Sequence, residues 1–391
     1  MNHIDCMNHR IHAAFKRCYL LLLLTGVMPL AMAQNASPEQ AVIQAVVNNS
    51  LLPAHQQLDQ RSKVLNAEAE KFCASLSAAA LADLRTAWLQ AMQSWGALAM
   101  VDFGPIETTN AQPQFQFWPD PLNLVQRKFA SRIAGKNLAI SAEELEKAGV
   151  GMQGLSALEY LLFDEALATP EKYAAQKPLC PLLKATAHNL ASNAQQLAQL
   201  WQDDFGPTFY NLDVEKVHAG YFKRNVGIVL SSMITALDHI RHQKLGLALG
   251  MEKRGNAGRA SKPGRLNPQL LESWRSQSSL AQIKASLALA LDWYQMQHGL
   301  SWYLLQKNPS SNRSNQSGKA ALLDQKIKAG FAAALSQIDA SPGSAEQLLQ
   351  EKQPATLVQL HRSVSEVYYL LKVDYAKASG IEYRFNARDG D

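Results

Sequence analysis

Apolar residues recur every three or four positions along most of this chain, and almost no segment alternates apolar with polar residues. The first pattern is typical of amphipathic helices and the second of strands. Leu81, Leu84, Trp88 and Met92 fall on one stripe of a helix predicted over residues 78–100. The sequence therefore predicts an all-α protein built of helix bundles.

The same spacing predicts three further long helices, over residues 213–249, 279–305 and 357–378. His298 falls on the apolar stripe of the second of these helices, so we expect it to be a core histidine. At 391 residues the chain exceeds the roughly 250–300 residues at which a single core stops growing. We therefore expect two antiparallel bundles of the four-helix type, over residues 34–205 and 206–391.

The first 33 residues have the anatomy of a secretory signal peptide. Basic residues within 10–17 precede a short apolar run that starts at Leu20, and AMA at residues 31–33 is a small-x-small cleavage site. The apolar run is broken at Pro29 and is shorter than the roughly 20 residues that span a membrane. We therefore predict cleavage after Ala33, a periplasmic location and no membrane-spanning segment after cleavage.

The charge of the chain argues against a nucleic-acid partner. The formal net charge of +5 falls to +3 without the predicted signal peptide, which carries three basic residues and one acidic residue. No run rich in Lys or Arg stands out, and the aromatic residues are not interleaved with basic stripes. We therefore expect no binding to nucleic acid.

Only two of the four cysteines, Cys73 and Cys180, follow the predicted cleavage site. In an oxidising compartment such a pair can form a disulfide. Their separation in sequence does not say whether their Cα atoms lie close enough to be bridged. Two alternatives therefore stay open, a disulfide and two separate buried thiols.

The segment GLSALEYLLF, residues 154–163, raises the question of what Ser156 and Glu159 do. Ser-x-x-Glu before an apolar turn is the pattern of a helix N-terminal capping box. A histidine in place of Ser156 would instead give the pattern of a metal site, because residues at i and i+3 share a helix face. The residues alone leave three interpretations: a cap, a polar ligand site, or a metal site with Glu159 as one ligand.

Three segments together resemble the imelysin-like family of exported bacterial proteins: DFGPIE (residues 102–107), FWPD (117–120) and GLSALEYLLF (154–163). The hallmark of that family is G-x-H-x-x-E followed by Tyr-Leu-Leu. The resemblance covers about residues 40–385 and implies two four-helix bundles, a periplasmic or surface location and a link to iron acquisition. The family was first described as a metallopeptidase, although the sequence has none of the common catalytic motifs, such as H-E-x-x-H or G-x-S-x-G.

This chain departs from the family pattern at Ser156, which stands where the family has its histidine, whereas Gly154 and Glu159 match. The resemblance implies a metal ion, iron or zinc, as the cofactor. A neutral serine hydroxyl is a far poorer ligand for such a metal than an imidazole. We therefore expect weak or no transition-metal binding and no peptidase activity.

Asp102 and Glu107 flank the turn at Gly104 and Pro105. In the family this loop packs near the motif helix, so the resemblance implies that either carboxylate can face the same ligand site as Ser156 and Glu159. The alternative for Asp102 is that it caps a helix or fixes the turn.

His239 and His242 form a second candidate metal site, because they lie one helical turn apart and both side chains offer a nitrogen ligand. Arg241 and Lys244 stand beside them in the sequence. The alternative is therefore a charged helix face in contact with solvent.

From these observations we expect an exported, non-catalytic protein that serves iron or haem acquisition by binding a ligand or partner near the altered motif. The expected partners are envelope components of iron or haem uptake. Two alternatives remain: an envelope scaffold that binds a partner through a bundle face, and a metallopeptidase.

Overall fold

The computed structural model describes residues 36–120, 122–135, 140, 142–210, 220–251, 264–309 and 316–382. The predicted signal peptide, residues 1–33, lies outside this range. Every regular element within it is a helix and none is a strand, which confirms the all-α prediction. None of the described helices is long and apolar enough to cross a membrane.

Two long helices of the first half, α2 and α3, pack against each other and are joined by only Leu76 and Ser77. Ser77 caps α3, since its side chain accepts a hydrogen bond from the Ala80 backbone N–H. The helices up to residue 210 are α1 (Pro38–Val46), α2 (Leu52–Ser75), α3 (Ala78–Leu98), α4 (Pro105–Thr108), α5 (Gln112–Phe115), α6 (Leu124–Ala134), α7 (Ala142–Ala148), α8 (Gly154–Phe163), α9 (Pro170–Ala175), α10 (Leu179–Leu200) and α11 (Gly206–Tyr210).

The helices after residue 220 match the predicted ones only in part, and residues 213–219 of the helix predicted over 213–249 lie outside the described range. They are α12 (Tyr221–His239), α13 (Ser279–Gln295), α14 (Leu300–Lys307), α15 (Gln316–Asp339), α16 (Ala345–Gln350), α17 (Ala355–Tyr369) and α18 (Ala376–Ser379). Several helices run into π-helical turns, at Val47–Leu51, Trp201–Phe205, Ile240–Gly246 and Leu370–Tyr375. The turn Ile240–Gly246 contains the buried Lys244, and π-helical turns of this kind are frequent at functional sites.

The prediction of one continuous helix over residues 279–305 is wrong, since α13 ends at Gln295 and α14 begins at Leu300. Gly299 stands at the break. A Cβ atom on this residue would lie 2.6 Å from the carbonyl oxygen of Trp293, so the tight turn requires glycine. His298 adopts a positive φ of 60° in this turn and is exposed, so the prediction of a core histidine is also wrong.

The structure from Pro38 onwards is one compact unit with a single cluster of buried apolar residues. Helices of the two halves contribute jointly to it, because α3 packs against α13 and α1 packs against α12. The Ser286 hydroxyl on α13 donates a hydrogen bond of 2.5 Å to the Gly96 carbonyl oxygen on α3. The predicted boundary at residue 206 thus lies within a shared core, and the division into two bundles stays a prediction.

A disulfide joins Cys73, near the end of α2, to Cys180, in the first turn of α10. The two Cα atoms lie 5.6 Å apart, within the range that a disulfide requires. Of the two alternatives that the sequence leaves open, the structure therefore contains the disulfide.

Candidate functional site

Helix α8 carries the GLSALEYLLF segment and is buried along most of its length. Two side chains of α3 bind its backbone carbonyl oxygens: Trp88 Nε1 donates to Leu155 at 3.1 Å and Arg85 Nε donates to Leu162 at 2.8 Å. The motif helix is therefore fixed to the core of the protein, and side chains that it presents are held in place.

Gly154 begins α8 with a positive φ of 70°. A Cβ atom on this residue would overlap the carbonyl oxygens of Gln114 and Phe115 on α5. Only glycine combines this backbone conformation with so close an approach. Glycine at the first position of the motif thus allows the segment between DFGPIE and FWPD to pack against the start of α8.

The capping box that the Ser-x-x-Glu pattern offered is not formed. Helix α8 begins two residues before Ser156, its N-cap residue is Gln153, and no side chain caps it. The Gln153 side chain instead donates to the carbonyl oxygens of Leu145 and Glu146, at 3.3 Å each. Ser156 and Glu159 therefore do not cap this helix.

Glu159 is a buried carboxylate, with 4% of its surface exposed. Its Oε1 atom accepts two hydrogen bonds from Ser276, one from the backbone N–H and one from the hydroxyl, both at 2.9 Å. Burial raises the pKa of Glu159 to about 7, although the Ser276 hydrogen bonds and the charge of Arg275 oppose the rise. Glu159 thus titrates near neutral pH.

Ser156 and Glu159 line a small cavity of about 50 Å³, which we call the Glu159 cavity. The FWPD segment forms one wall and residues 269–275 form another. A volume of this size holds a few water-sized groups, at roughly 10–15 Å³ for each. The lining residues are Phe117, Trp118, Pro119, Asp120, Asn123, Val125, Ser156, Glu159, Gln269, Leu270, Glu272, Trp274 and Arg275.

The charged residues on the far walls of the Glu159 cavity have protein partners. Asp120 caps α6, because its two carboxylate oxygens accept the backbone N–H groups of Leu124 and Val125 at 2.7 and 2.9 Å. Arg275 lies 3.1 Å from Asp164 through its Nε atom, and its guanidinium stacks over the Trp274 ring at 4.3 Å.

Asp102 lines a second cavity of similar volume, about 50 Å³, which we call the Asp102 cavity. Its loop is tied to α12, because the Asp102 backbone N–H donates to the Ser232 hydroxyl, which itself donates to the Met100 carbonyl oxygen. His239 lies two turns further along α12 and lines the same cavity. The lining residues are Ala99, Met100, Asp102, Gln112, Gln116, Trp118, Thr235, Ala236, His239, Ile240, Lys244, Glu272 and Ser286.

Trp118 and Glu272 line both cavities and separate them. Glu272 forms a buried ion pair with Lys244, whose Nζ lies 2.8 Å from Glu272 Oε2. The side chains of Glu272 and Lys244 are only 3% and 7% exposed, yet the two atoms are not aligned for a hydrogen bond and have no other hydrogen-bond partner among the described residues. The π-helical turn Ile240–Gly246 carries Lys244 to this position.

The structure therefore brings together some of the residues that the sequence singled out and not others. Ser156 and Glu159 share one cavity, and Asp102 and His239 share its neighbour. Glu107 is exposed and lines neither cavity. His242 lies outside both, with its Nε2 atom 3.5 Å from Asp238 Oδ1.

In the described part of the chain, too few side chains that can bind a metal lie near the predicted metal ligands. No three His, Cys, Asp or Glu side chains come close enough there to hold a metal ion. The metal that the family resemblance implies therefore does not fit the residues as they are arranged. Glu159, His239 and His242 stay predictions as metal ligands.

Sequence reasoning missed Lys244, Glu272, Arg275 and Ser276 as parts of this site. Ser276 contacts a residue 117 positions earlier in the chain, a pairing that no local pattern reveals. Lys244 could have been noticed in the sequence, because it stands directly before the apolar run LGLALG. A lysine that is buried with such a run needs a partner for its charge.

Comparison with known proteins finds a family match and similar solved structures. The model of the family Imelysin (peptidase M75) matches residues 51–370. An imelysin-like protein from Psychrobacter arcticum has a similar structure, with a TM-score of 0.69 and 22% identity over 89% of this chain and 97% of that one. A protein named as an iron-regulated protein A precursor, from Parabacteroides distasonis, aligns with a TM-score of 0.65 and 18% identity over 87% and 95% of the two chains. At these identities the two structures show a shared fold, and no curated protein matches the sequence.

Proposed function

This chain belongs to the imelysin family, and on that premise we propose that it is an exported, non-catalytic protein that serves iron or haem acquisition. We propose that it does so by binding a ligand or a partner at the Glu159 and Asp102 cavities. The iron link has support from the name of the Parabacteroides distasonis neighbour, an iron-regulated protein A precursor. The periplasmic location rests on the signal-peptide pattern of residues 1–33, and N-terminal analysis of the mature protein should begin at Gln34.

One observation carries this proposal. Segments that lie far apart in the sequence, around Asp102, Trp118, Glu159 and Glu272, converge on two adjoining polar cavities. Polar side chains that converge on a concave, partly buried surface are the usual sign of a binding site. Apolar residues at these positions would pack the helices equally well.

The arrangement favours binding over catalysis. A hydrolytic metal site needs an open metal with several protein ligands, and the described residues do not provide that set. Glu159 could act as a base near neutral pH, but its Oε1 atom already accepts two hydrogen bonds from Ser276.

The small volume of each cavity limits what can enter. A few water-sized groups fit, so a polar edge of an iron chelate or one side chain of a partner can enter, whereas a whole porphyrin ring cannot. Haem would therefore be bound by a partner or at the mouth of the cavities.

Calorimetric titration of the mature protein with ferric citrate and with haemin tests the proposal. We expect the native protein to bind at least one of the two, and Glu159→Ala to weaken that binding by at least about tenfold, because it removes a buried carboxylate from the site. Glu107→Ala is the matched control, since it removes an exposed carboxylate outside both cavities. Equal binding by native protein and Glu159→Ala, or cleavage of unfolded substrates that a chelator abolishes, would contradict the proposal.

A further inference from the structure

Three carboxylates line the Glu159 cavity, those of Asp120, Glu159 and Glu272, and each of them already has a partner. Asp120 accepts two backbone N–H groups of α6, at 2.7 and 2.9 Å. Glu159 accepts two hydrogen bonds from Ser276 through Oε1. Glu272, the third carboxylate, is paired with Lys244. A metal ion that entered this cavity would compete with these partners for the carboxylate oxygens.

Of the three partners, Lys244 is the one that carries a positive charge. Its ammonium lines the Asp102 cavity and lies 2.8 Å from Oε2 of Glu272, which lines both cavities. The side chain is only 7% exposed, so its field is poorly screened by solvent and acts strongly on any other cation nearby. Lys244 therefore both occupies a carboxylate that could bind metal and repels a metal ion.

We propose that Lys244 is a tethered cation that takes the place of a metal ion in this site by holding Glu272. The site then recognises a hydrogen-bonding organic group of its ligand rather than a bare divalent cation. This deepens the proposed function, since it concerns the same cavities and the class of ligand that they accept.

The hydrogen-bonding state of the pair gives a second, independent reason for this assignment. Among the described residues, neither Lys244 Nζ nor Glu272 Oε2 makes a contact with the geometry of a hydrogen bond, although both atoms are buried beside the cavities. Buried polar atoms of this kind require partners from water or from a ligand. A ligand group with both an oxygen acceptor and an N–H or O–H donor would satisfy the two atoms together.

The proposal predicts how Ser156→His, which introduces the histidine of the family pattern, should affect metal affinity. Ser156→His supplies a nitrogen ligand one turn from Glu159, but Lys244 still holds Glu272 and still repels cations. A third ligand becomes available only when the ammonium is removed as well. The two substitutions should therefore be strongly non-additive in metal affinity.

Calorimetric titration with Zn²⁺ and Fe²⁺ at neutral pH measures the metal affinities of these variants. We expect no binding by the native protein and little by Ser156→His alone. The double variant Ser156→His/Lys244→Met should bind at least about 10- to 100-fold more tightly than Ser156→His, the range by which neighbours of metal ligands alter affinity. Lys63→Met with Ser156→His is the matched control, because it removes an exposed, paired lysine.

Two further variants keep the test decisive. Lys244→Gln removes the charge but keeps an amide donor for Glu272, so it replaces Lys244→Met if that variant does not fold. Adding Glu272→Gln to the double variant should abolish the gained affinity. Equal metal binding by Ser156→His with and without Lys244 would overturn the proposal, as would tight Zn²⁺ or Fe²⁺ binding by the native protein that Glu159→Ala abolishes.

The result of these metal titrations can be distinguished from the result of the ferric citrate and haemin titrations that test the proposed function. Metal binding by the native site would refute the tethered cation and leave the role in iron acquisition standing. Failure of ferric citrate and haemin to bind would refute the proposed ligand binding, while the metal titrations of the variants would still report on Lys244.

Discussion

At the scale of single residues, Gly154 determines where Ser156 and Glu159 lie. It starts helix α8 two residues before Ser156, with a positive φ. That conformation depends on the close approach of α5, a tertiary contact. It moves Ser156 into the helix and so excludes the capping box.

Gly154→Ala should destabilise the protein by more than about 3 kcal/mol, because it adds left-handed strain and overlap with two carbonyl oxygens. Urea denaturation followed by circular dichroism measures the loss. Gly220→Ala is the matched control, since Gly220 has a positive φ of 93° but, among the described residues other than its chain neighbours, no atom within 4 Å of the position that a Cβ would take. It should lose only about 1–2 kcal/mol, the cost of the conformation alone. Equal losses for the two variants would show that the approach of α5 is unimportant.

Glu159 should make the protein less stable as the pH rises from about 5 to 8. Its pKa is about 7 in the folded protein against 4.5 for the unperturbed group, so between these values the folded state binds more protons than the unfolded state. The free energy of unfolding therefore falls with rising pH, by about 3 kcal/mol for this one group.

Glu159→Gln should remove this contribution. Comparing the free energies of unfolding of native protein and Glu159→Gln at pH 5 and pH 8 isolates it, because other titrating groups such as His55 are common to both proteins. We expect the native protein to lose about 2–3 kcal/mol relative to the variant across this range. A difference that does not change with pH would mean that Glu159 is ionised throughout.

At the scale of elements, local periodicity predicted the helices well where packing does not interrupt them. Helix α3 was expected over residues 78–100 and is observed over Ala78–Leu98. The break between α13 and α14 was missed, because the apolar stripe continues on both sides of Gly299 and only the close approach of the Trp293 carbonyl shows the turn. The site was missed in part for a similar reason, since Glu159 and Ser276 come together only through the packing of distant segments.

The disulfide between α2 and α10 should contribute between about 2 and 5 kcal/mol, because it closes a loop with a sequence separation of 107 residues. The double variant Cys73→Ala/Cys180→Ala should lose that amount in chemical denaturation, and a reductant should lower the stability of the native protein to a similar level. The variant itself should be insensitive to reductant. Reductant sensitivity of the variant, or its full stability, would contradict this assignment.

At the scale of the whole molecule, the all-α class and the imelysin family followed from the sequence, and the match over residues 51–370 confirms the family. The division into two bundles and the export of the chain remain predictions. The structure adds that both halves contribute to a single core and that segments from both line the cavities. A ligand or partner bound there would therefore contact both halves at once.

The central claim is that the Glu159 cavity serves iron acquisition. Growth of a strain that lacks this protein, in iron-limited medium supplied with ferric citrate or haemin, tests it most directly when the strain is complemented with native protein, Glu159→Ala or Glu107→Ala at equal abundance. The account predicts that the native protein and Glu107→Ala restore growth and that Glu159→Ala does not. Full restoration by Glu159→Ala, or no growth defect in the strain without the protein, would contradict it.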